Sequence, residues 1–362
     1  MARLKRPKRN GSRQRWEKGL ITVAKNSRLP EIDEKVAFLS HPASYPVKAD
    51  RVEVLETHMS WVFLVGPRVY KLKKPVACPL FDFTTVDNRY KNCVEEVRLN
   101  LRLGGDTYIG VEPLRVVAGG GLALGRAGVP VDWLVVMRRL PAALMLDAQI
   151  ESATVEYRRV RAAAELLGRF YDSAASVQLS GQQYLARLRC SISDTHRQLI
   201  AYSLPVDRVK SVCDRQMTLL EKNSMRLADR AVAGCIVEAH GDLRPEHVCL
   251  TEPPVVIDCL EFSRDLRIRD PLDELSFLAM ECEKLGNEKV GEILFEVYAQ
   301  ITGARSEARE ASLIAFYKAY RAAERAKLAI WHLDDDYHER RGPWRQKALD
   351  YLALASGYVD IG

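Results

Sequence analysis

Two carboxylates sixteen residues apart, Asp242 and Asp258, constrain this 362-residue chain more than any other feature. The first stands in His240-Gly241-Asp242-Leu243-Arg244-Pro245-Glu246-His247 and the second closes Val255-Val256-Ile257-Asp258. Between them Val248-Cys249-Leu250 reads as a short strand, Glu252-Pro253-Pro254 as a break and Val255 onward as the returning strand. The spacing therefore predicts a hairpin with both acids on one rim. Phosphoryl transfer uses such a pair: one carboxylate orients a hydroxyl nucleophile and takes its proton, while the other holds a divalent ion that bridges the nucleotide phosphates.

These residues carry a family resemblance. They are similar to the catalytic loop and metal strand of the aminoglycoside phosphotransferase and choline kinase superfamily, which usually reads His-Gly-Asp, a Pro-containing stretch and then Asn. The continuation Asp270-Pro271-Leu272-Asp273-Glu274-Leu275 resembles that superfamily's Asp-Pro-x-x-Asp-Leu segment. The resemblance spans roughly residues 50 to 335, and the ordered set of motifs is far more specific than a lone His-Gly-Asp. It resembles in particular a group of uncharacterised bacterial aminoglycoside phosphotransferase-like proteins. The resemblance implies an α+β, two-lobed protein-kinase-like fold with a small antiparallel-sheet N-lobe and a mostly helical C-lobe. It also implies ATP-dependent phosphorylation of a hydroxyl on a small-molecule substrate, with Asp242 as base or orienter and Asp258 as magnesium ligand. The division expected is a basic tail over residues 1–30, an N-lobe over 31–140 and a C-lobe over 141–362.

Composition agrees with such an enzyme: 47% hydrophobic and 28% charged residues in a chain long enough for more than one compact unit. No apolar run reaches the eighteen or more residues of a membrane helix. Eight cysteines without a Cys-x-x-Cys pair, and a start without a signal-peptide pattern, predict buried reduced thiols in a cytoplasmic protein. The formal charge of +6 is unevenly spread. Residues 1–28 hold ten Lys or Arg and one Glu, and the rest of the chain is slightly acidic. That tail has too little apolar content to fold alone and reads as a solvated extension, with nucleic acid the alternative that its charge suggests.

After the tail the pattern alternates. Val52 to Glu56, Trp61 to Val65 and Val69 to Lys74, with a Gly66-Pro67 turn, read as three consecutive antiparallel strands. In the fold this resembles, the third strand supplies a lysine for the phosphates and a following helix supplies its glutamate partner. Lys71 and Lys73 share one face, and the helical stretch from Asn92 to Leu103 offers Glu95 and Glu96; Lys71 with Glu96 is the favoured pairing. Lys73 and Lys74 have a second reading, as a solvated edge that discourages strand pairing.

The pattern of the superfamily is departed from twice. The loop between the first two strands, Thr57-His58-Met59-Ser60, has no glycine to form a flap over phosphates. His247 stands where an asparagine normally ligates metal, which suggests one tightly held Mg2+, tolerance of Mn2+, or a structural histidine. Glu261 is then a replacement carboxylate or an ion-paired side chain. A buried strand runs toward Pro141 where the superfamily it resembles has its adenine-binding hinge, and the resemblance implies that backbone atoms from Met137 through Arg138 to Arg139 meet the adenine. Arg244 either screens transferring phosphate charge or anchors a neighbouring carboxylate. His240 is read as a residue that shapes the loop, because a base already stands two residues on.

Residues Thr154–Ser173, Tyr184–Asp229 and Ala308–Leu333 recur at helical spacing, the last with an aromatic stripe that reads as core. P-loop, dinucleotide, zincin and serine-hydrolase signatures are not present in the sequence. The missing glycine loop and His247 also admit a nucleotide-binding pseudokinase that acts as a regulator or scaffold.

Overall fold

A computed structural model describes residues 29–78, 80–125, 128–202, 204–303, 311–333 and 341–361. The basic tail, with the nucleic-acid reading attached to it, lies outside the described residues. The chain divides into two compact units, one running to Leu140 and including Glu261–Ser263, the other formed by Pro141–Leu260 and Arg264–Gly362.

The first unit opens with helix α1 (Ile32–Leu39), followed by β1 (Val52–Glu56), β2 (Ser60–Val65) and β3 (Arg68–Lys73). After the short strands β4 (Ala77–Cys78) and β5 (Phe81–Asp82) come helix α2 (Val86–Asn100) and strands β6 (Tyr108–Val116), β7 (Leu122–Leu124) and β8 (Val129–Arg138). Six strands pair antiparallel in the order β1-β2-β3-β8-β6-β7. The three-strand meander expected from alternation is therefore present, and Gly66 makes its second turn at φ +51°, a conformation glycine adopts at no steric cost. Phe63, Val65, Tyr70, Leu72, Leu114 and Leu134 fill the core against Leu39 of α1. Thr85 starts α2 by accepting from the Asn88 N–H at 3.1 Å, which satisfies one of the amides that a helix N-terminus leaves open.

A buried ionic knot ties this unit together. Asp132 on β8 accepts from Lys35 of α1 at 2.8 Å and from two nitrogens of Arg89 of α2 at 2.8 Å each. Arg89 also donates to the carbonyls of Phe83 and Thr84. A buried charge is tolerable only when it is matched in this way.

The second unit is mostly helix, as expected from its periodicity. It runs through α3 (Leu146–Glu151), α4 (Tyr157–Ser173), α5 (Gly181–Ala201), α6 (Val206–Lys222) and α7 (Ser224–Val232) to strand β9 (Val237–Glu238) and the hairpin of β10 (Val248–Cys249) and β11 (Val255–Val256). It continues with α8 (Arg264–Arg267), β12 (Ile268–Arg269), α9 (Pro271–Lys284), α10 (Lys289–Thr302), α11 (Ala311–Trp331) and α12 (Arg341–Ile361). In the hairpin Val248 faces Val256 and Cys249 faces Val255. Asp270 caps α9 by accepting from the Leu272 N–H at 2.9 Å, with Pro271 at the first helical position.

Helix α9 is buried from Pro271 to Cys282 although it carries several acids. The cap and each acid of the helix have a partner: Arg230 on Asp270, Arg321 on Asp273, Tyr171 on Glu274, Tyr351 on Glu281, and Lys318 on Glu283. The aromatic stripe of α11, with Phe316, Tyr317 and Tyr320, is core. All eight cysteines are free thiols; Cys93, Cys249, Cys259 and Cys282 are buried, whereas Cys78 and Cys190 are exposed, so the expectation of burial holds for half of them. No helix among the described residues is long and apolar enough to cross a membrane.

Candidate active site

In the first unit, Lys71 and Lys73 project from the same face of β3 toward α2, as period two requires. Lys71 Nζ lies 3.0 Å from Glu96 Oε1. Lys73 Nζ contacts both Glu96 Oε2 and Glu261 Oε1. Both lysines therefore share Glu96, while Glu95 faces outward and binds Arg98. Lys73 is not a solvated edge residue, since only 1% of its side chain is exposed. Burial pulls its ammonium pKa down, but Glu261 and Glu96 outweigh that and raise it. Lys71 is the less enclosed of the two, with 14% of its side chain exposed. Glu261 is placed in this cluster as a partner of Lys73. Lys74 pairs with Glu56 and lies over the Trp61 ring.

The turn Thr57–Ser60 closes on itself. The Thr57 N–H donates to the Ser60 carbonyl at 2.8 Å, and the Ser60 N–H donates to Thr57 Oγ1 at 3.0 Å. Those amides are thus committed, and the Met59 carbonyl is bound by the Lys74 N–H. At the end of β8, the N–H of Arg138 donates to the Thr107 carbonyl at 2.8 Å and that of Arg139 to the Pro67 carbonyl at 2.9 Å. Met137 is paired in the sheet with Val69 and Tyr108. The N–H groups of Arg138 and Arg139 are thus engaged by backbone carbonyls. The side chains of Arg138 and Arg139 pair at the surface with Asp106 and Glu53.

In the second unit the catalytic-type loop is built around His240 and Glu274. His240 Nε2 hydrogen-bonds the Ile257 carbonyl at 2.9 Å, and Nδ1 receives the Asp242 N–H at 3.3 Å. A carbonyl only accepts and an amide N–H only donates, so the ring is held as the neutral Nε2–H form. Burial, the largest influence, lowers its pKa in the same sense. Glu274, fully buried on α9, accepts from the His240 N–H at 2.9 Å, from the Gly241 N–H, and from Tyr171 Oη at 2.9 Å. Gly241 has φ +92°, and an added Cβ would lie 2.9 Å from Leu260 Cβ. Only glycine fits that position without rearrangement.

Asp242 follows, with its side chain about one quarter exposed. Arg244 directs Nε (3.1 Å) and Nη2 (3.0 Å) to its Oδ2 and contacts Glu246 with Nη1. Among the described residues none donates to Asp242 Oδ1. Burial pushes the Asp242 carboxyl up, but Arg244, His247 and Arg325 together hold it below the ordinary aspartate value. His247 donates from Nδ1 to the Asp242 carbonyl at 2.7 Å, and its Nε2 accepts from Arg244 at 3.2 Å. Its Nε2 is also 3.6 Å from Asp258 Oδ2. Asp258 itself takes a left-handed backbone, φ +60°, a conformation that costs a non-glycine residue energy and recurs at functional sites.

Among the described residues, no group of three or more His, Cys, Asp and Glu side chains is placed to hold a metal ion. Magnesium is commonly held by one or two carboxylates together with substrate phosphates and water. Asp258, with 42% of its side chain exposed, suits that mode. His247 does not present a free lone pair, because Nε2 already accepts from Arg244.

Residues that sequence reasoning did not single out for the site also matter. Glu274 lay inside the Asp-Pro segment, but only its contacts distinguish it from Asp273. Arg325, whose field reaches Asp242, is hidden in a helix whose pattern reads as core.

No family model matches the chain. An uncharacterized protein of Mycobacterium tuberculosis is 32% identical over 290 residues, covering 76% of this chain and 54% of its own length. A counterpart in Mycobacterium bovis matches equally. The chain thus spans about half the length of these relatives. Among solved structures, the complex of APH(2″)-IIIa with GDP and kanamycin superposes at a TM-score of 0.56 with 13% identity, covering 90% of this chain and 99% of that one. The ethanolamine kinase of Plasmodium vivax gives 0.54 at 11% identity, with 97% and 95% covered. The choline kinase of Cryptosporidium parvum gives 0.53 at 11%, with 91% and 96% covered. The chain has the protein-kinase-like fold shared by aminoglycoside phosphotransferases and choline/ethanolamine kinases.

Proposed function

We propose that the protein is a phosphotransferase that moves the terminal phosphoryl group of ATP to a hydroxyl of a small molecule. The observation that carries this reading is Asp242: an ionised carboxylate on a loop fixed by Glu274, with Oδ2 held by Arg244 and Oδ1 left for the acceptor hydroxyl. Oδ1 orients the hydroxyl and takes its proton as the new O–P bond forms and the bond from the γ-phosphorus to the β,γ-bridging oxygen breaks, releasing ADP. Lys71, kept in place by Glu96, contacts the nucleotide phosphates, and Lys73 fixes Glu96 from the other side. Asp258 is the residue that would hold Mg2+, or Mn2+ in its stead. Such an ion, when bound, neutralises charge on the phosphates. His247 fixes the loop through the Asp242 carbonyl and orients Arg244. Arg244 depresses the Asp242 pKa and lies where it can also screen the transferring phosphoryl group.

The second reading, a nucleotide-binding pseudokinase, is favoured by the closed Thr57–Ser60 turn and by the ion pair on Asp242. Asp242→Asn separates the two. It preserves shape but removes the proton acceptor, so acceptor-dependent turnover should fall by roughly 10² to 10⁴ with nucleotide affinity little changed. Full cellular complementation by Asp242→Asn at normal protein level would reject the catalytic reading.

A further inference from the structure

Glu261 has a defined place in the first unit but no step in the phosphotransfer. The segment Glu261–Ser263 belongs to that unit although the residues on either side of it do not. Two contacts hold it. Glu261 Oε1 meets Lys73 Nζ, and the Phe262 ring packs on Phe81 with centroids 5.0 Å apart. Phe81 in turn stacks on Phe83 at 4.5 Å, and Lys73 Nζ lies 5.7 Å from the centre of the Phe83 ring. These contacts close a circuit that starts and ends at the Lys73 ammonium. The charges here are few enough to count. Lys71 and Lys73 divide the two oxygens of Glu96, so without Glu261 the cluster would hold two cations and one anion. The groups around it are fixed: Lys74 pairs with Glu56, and Asp132 is bound by Lys35 and Arg89. The Cys93 thiol, whose pKa burial pushes up to about 12, is uncharged at neutral pH. Whatever these neighbours add, the Glu261 carboxylate makes the surroundings of Lys71 more negative by one unit charge, and its side chain is only 8% exposed, so water screens it little.

We propose that Glu261 is a fixed counter-charge that lowers the affinity of Lys71 for nucleotide phosphates. Through Lys73 and the Phe81–Phe83 pair it is held in a position where it cancels the second ammonium of the cluster. A polyanion at Lys71 then meets one net positive charge fewer. Product release limits turnover in many enzymes, and a counter-charge beside the phosphate lysine speeds the departure of the product nucleotide. This inference rests on Lys71 as the phosphate contact, but it is read out by binding and needs no acceptor.

Glu261→Gln keeps the shape and an acceptor oxygen for Lys73 but removes the charge. The full chain is titrated by calorimetry with adenosine, ADP and ATP, and with ATP plus magnesium. ATP should bind about 10-fold more tightly to the variant, ADP less so, and adenosine equally. Glu261→Asp, which restores the charge, should return ATP affinity toward that of the parent. A gain of equal size for adenosine and ATP would mean a change of shape and overturns the proposal. So does ATP affinity that stays or falls in Glu261→Gln; a fall confined to ATP with magnesium would make Glu261 a metal ligand instead. Lys71→Met is titrated beside it. If Lys71→Met weakens ATP while Glu261→Gln changes nothing, the counter-charge falls and the phosphate contact stands; if Lys71→Met leaves ATP affinity intact, the phosphate contact falls and the counter-charge with it. Should Glu261→Gln fail to fold, the paired substitution Lys73→Met with Glu261→Met replaces the buried ion pair by apolar groups. Because both charges leave together, ATP affinity should match the parent, and marked weakening would show that Lys73 itself serves the phosphates and overturns the proposal.

Discussion

Replacing Glu274 by glutamine tests how the loop that carries Asp242 is held. The carboxylate accepts three hydrogen bonds in a fully buried position: Oε2 from the His240 N–H and Tyr171 Oη, both at 2.9 Å, and Oε1 from the Gly241 N–H. An amide can keep the two bonds at Oε2 only by turning its NH2 group toward the Gly241 N–H. Two donors then face each other, and a buried unsatisfied donor costs about 1–3 kcal/mol. The two surviving bonds lose their charge assistance, roughly 0.5–1.5 kcal/mol more. Because a neutral amide is cheaper to bury than a carboxylate, part of this is offset, leaving about 2 kcal/mol. That loss acts locally, on the His240–Leu243 backbone, so native-state hydrogen exchange is the measurement of choice. Amide protection at His240 and Gly241 should fall by about 30-fold, and turnover should fall with it. Tyr171→Phe removes one donor from the same carboxylate but leaves both loop amides bound, so protection there should change far less. Unchanged protection in Glu274→Gln would refute the view that this carboxylate holds the loop.

Asp258→Asn should weaken magnesium–ATP binding by about 10-fold or more while thermal stability is kept; calorimetry that finds equal affinity removes Asp258 from the metal role. Lys73→Met leaves Glu96 and Glu261 without their shared cation in a buried site and should cost about 3–5 kcal/mol of stability, whereas Lys71→Met should cost less stability and more nucleotide affinity. Thermal melts and nucleotide titrations that rank the two lysines the other way would move the phosphate contact to Lys73. Arg244→Gln removes the strongest of the influences that depress the Asp242 carboxyl. A base works only when ionised, so the acid limb of kcat should move to higher pH; a limb that stays put would mean that Arg244 does not set the pKa of the base.

What the sequence made legible was local. Partial alternation over Val52–Glu56 and Val69–Lys73, with the apolar run Trp61–Val65 and the Gly66-Pro67 turn between, marked the strands; their register follows from packing, because a one-residue slip would turn Phe63, Tyr70 and Leu72 out of the core. Helical periodicity specified the second unit for the same reason. The ion pairs depended on geometry across long separations. Glu95 and Glu96 are neighbours in sequence, yet a single residue step along α2 turns one to solvent and the other onto both lysines. The Asp132 knot joins residues 43 and 97 positions apart, and no short pattern encodes it. Backbone donors were equally hidden: the sequence marks the end of β8 but not that Thr107 and Pro67 already take its N–H groups.

The histidine at position 247 changes what the loop can do, beyond removing an oxygen ligand. Its Nδ1–H is fixed by the Asp242 carbonyl, so Nε2 must be an acceptor, and Arg244 is the donor it finds. Arg244 is thereby held by three groups, His247, Asp242 and Glu246. A guanidinium fixed in this way occupies one oxygen of Asp242 and leaves the other, which sets the direction from which a hydroxyl can approach. It also places a positive charge directly beside Asp242. His247, Arg244 and Asp242 thus act as one unit, in which the imidazole fixes where the guanidinium sits and the guanidinium fixes which carboxylate oxygen is occupied.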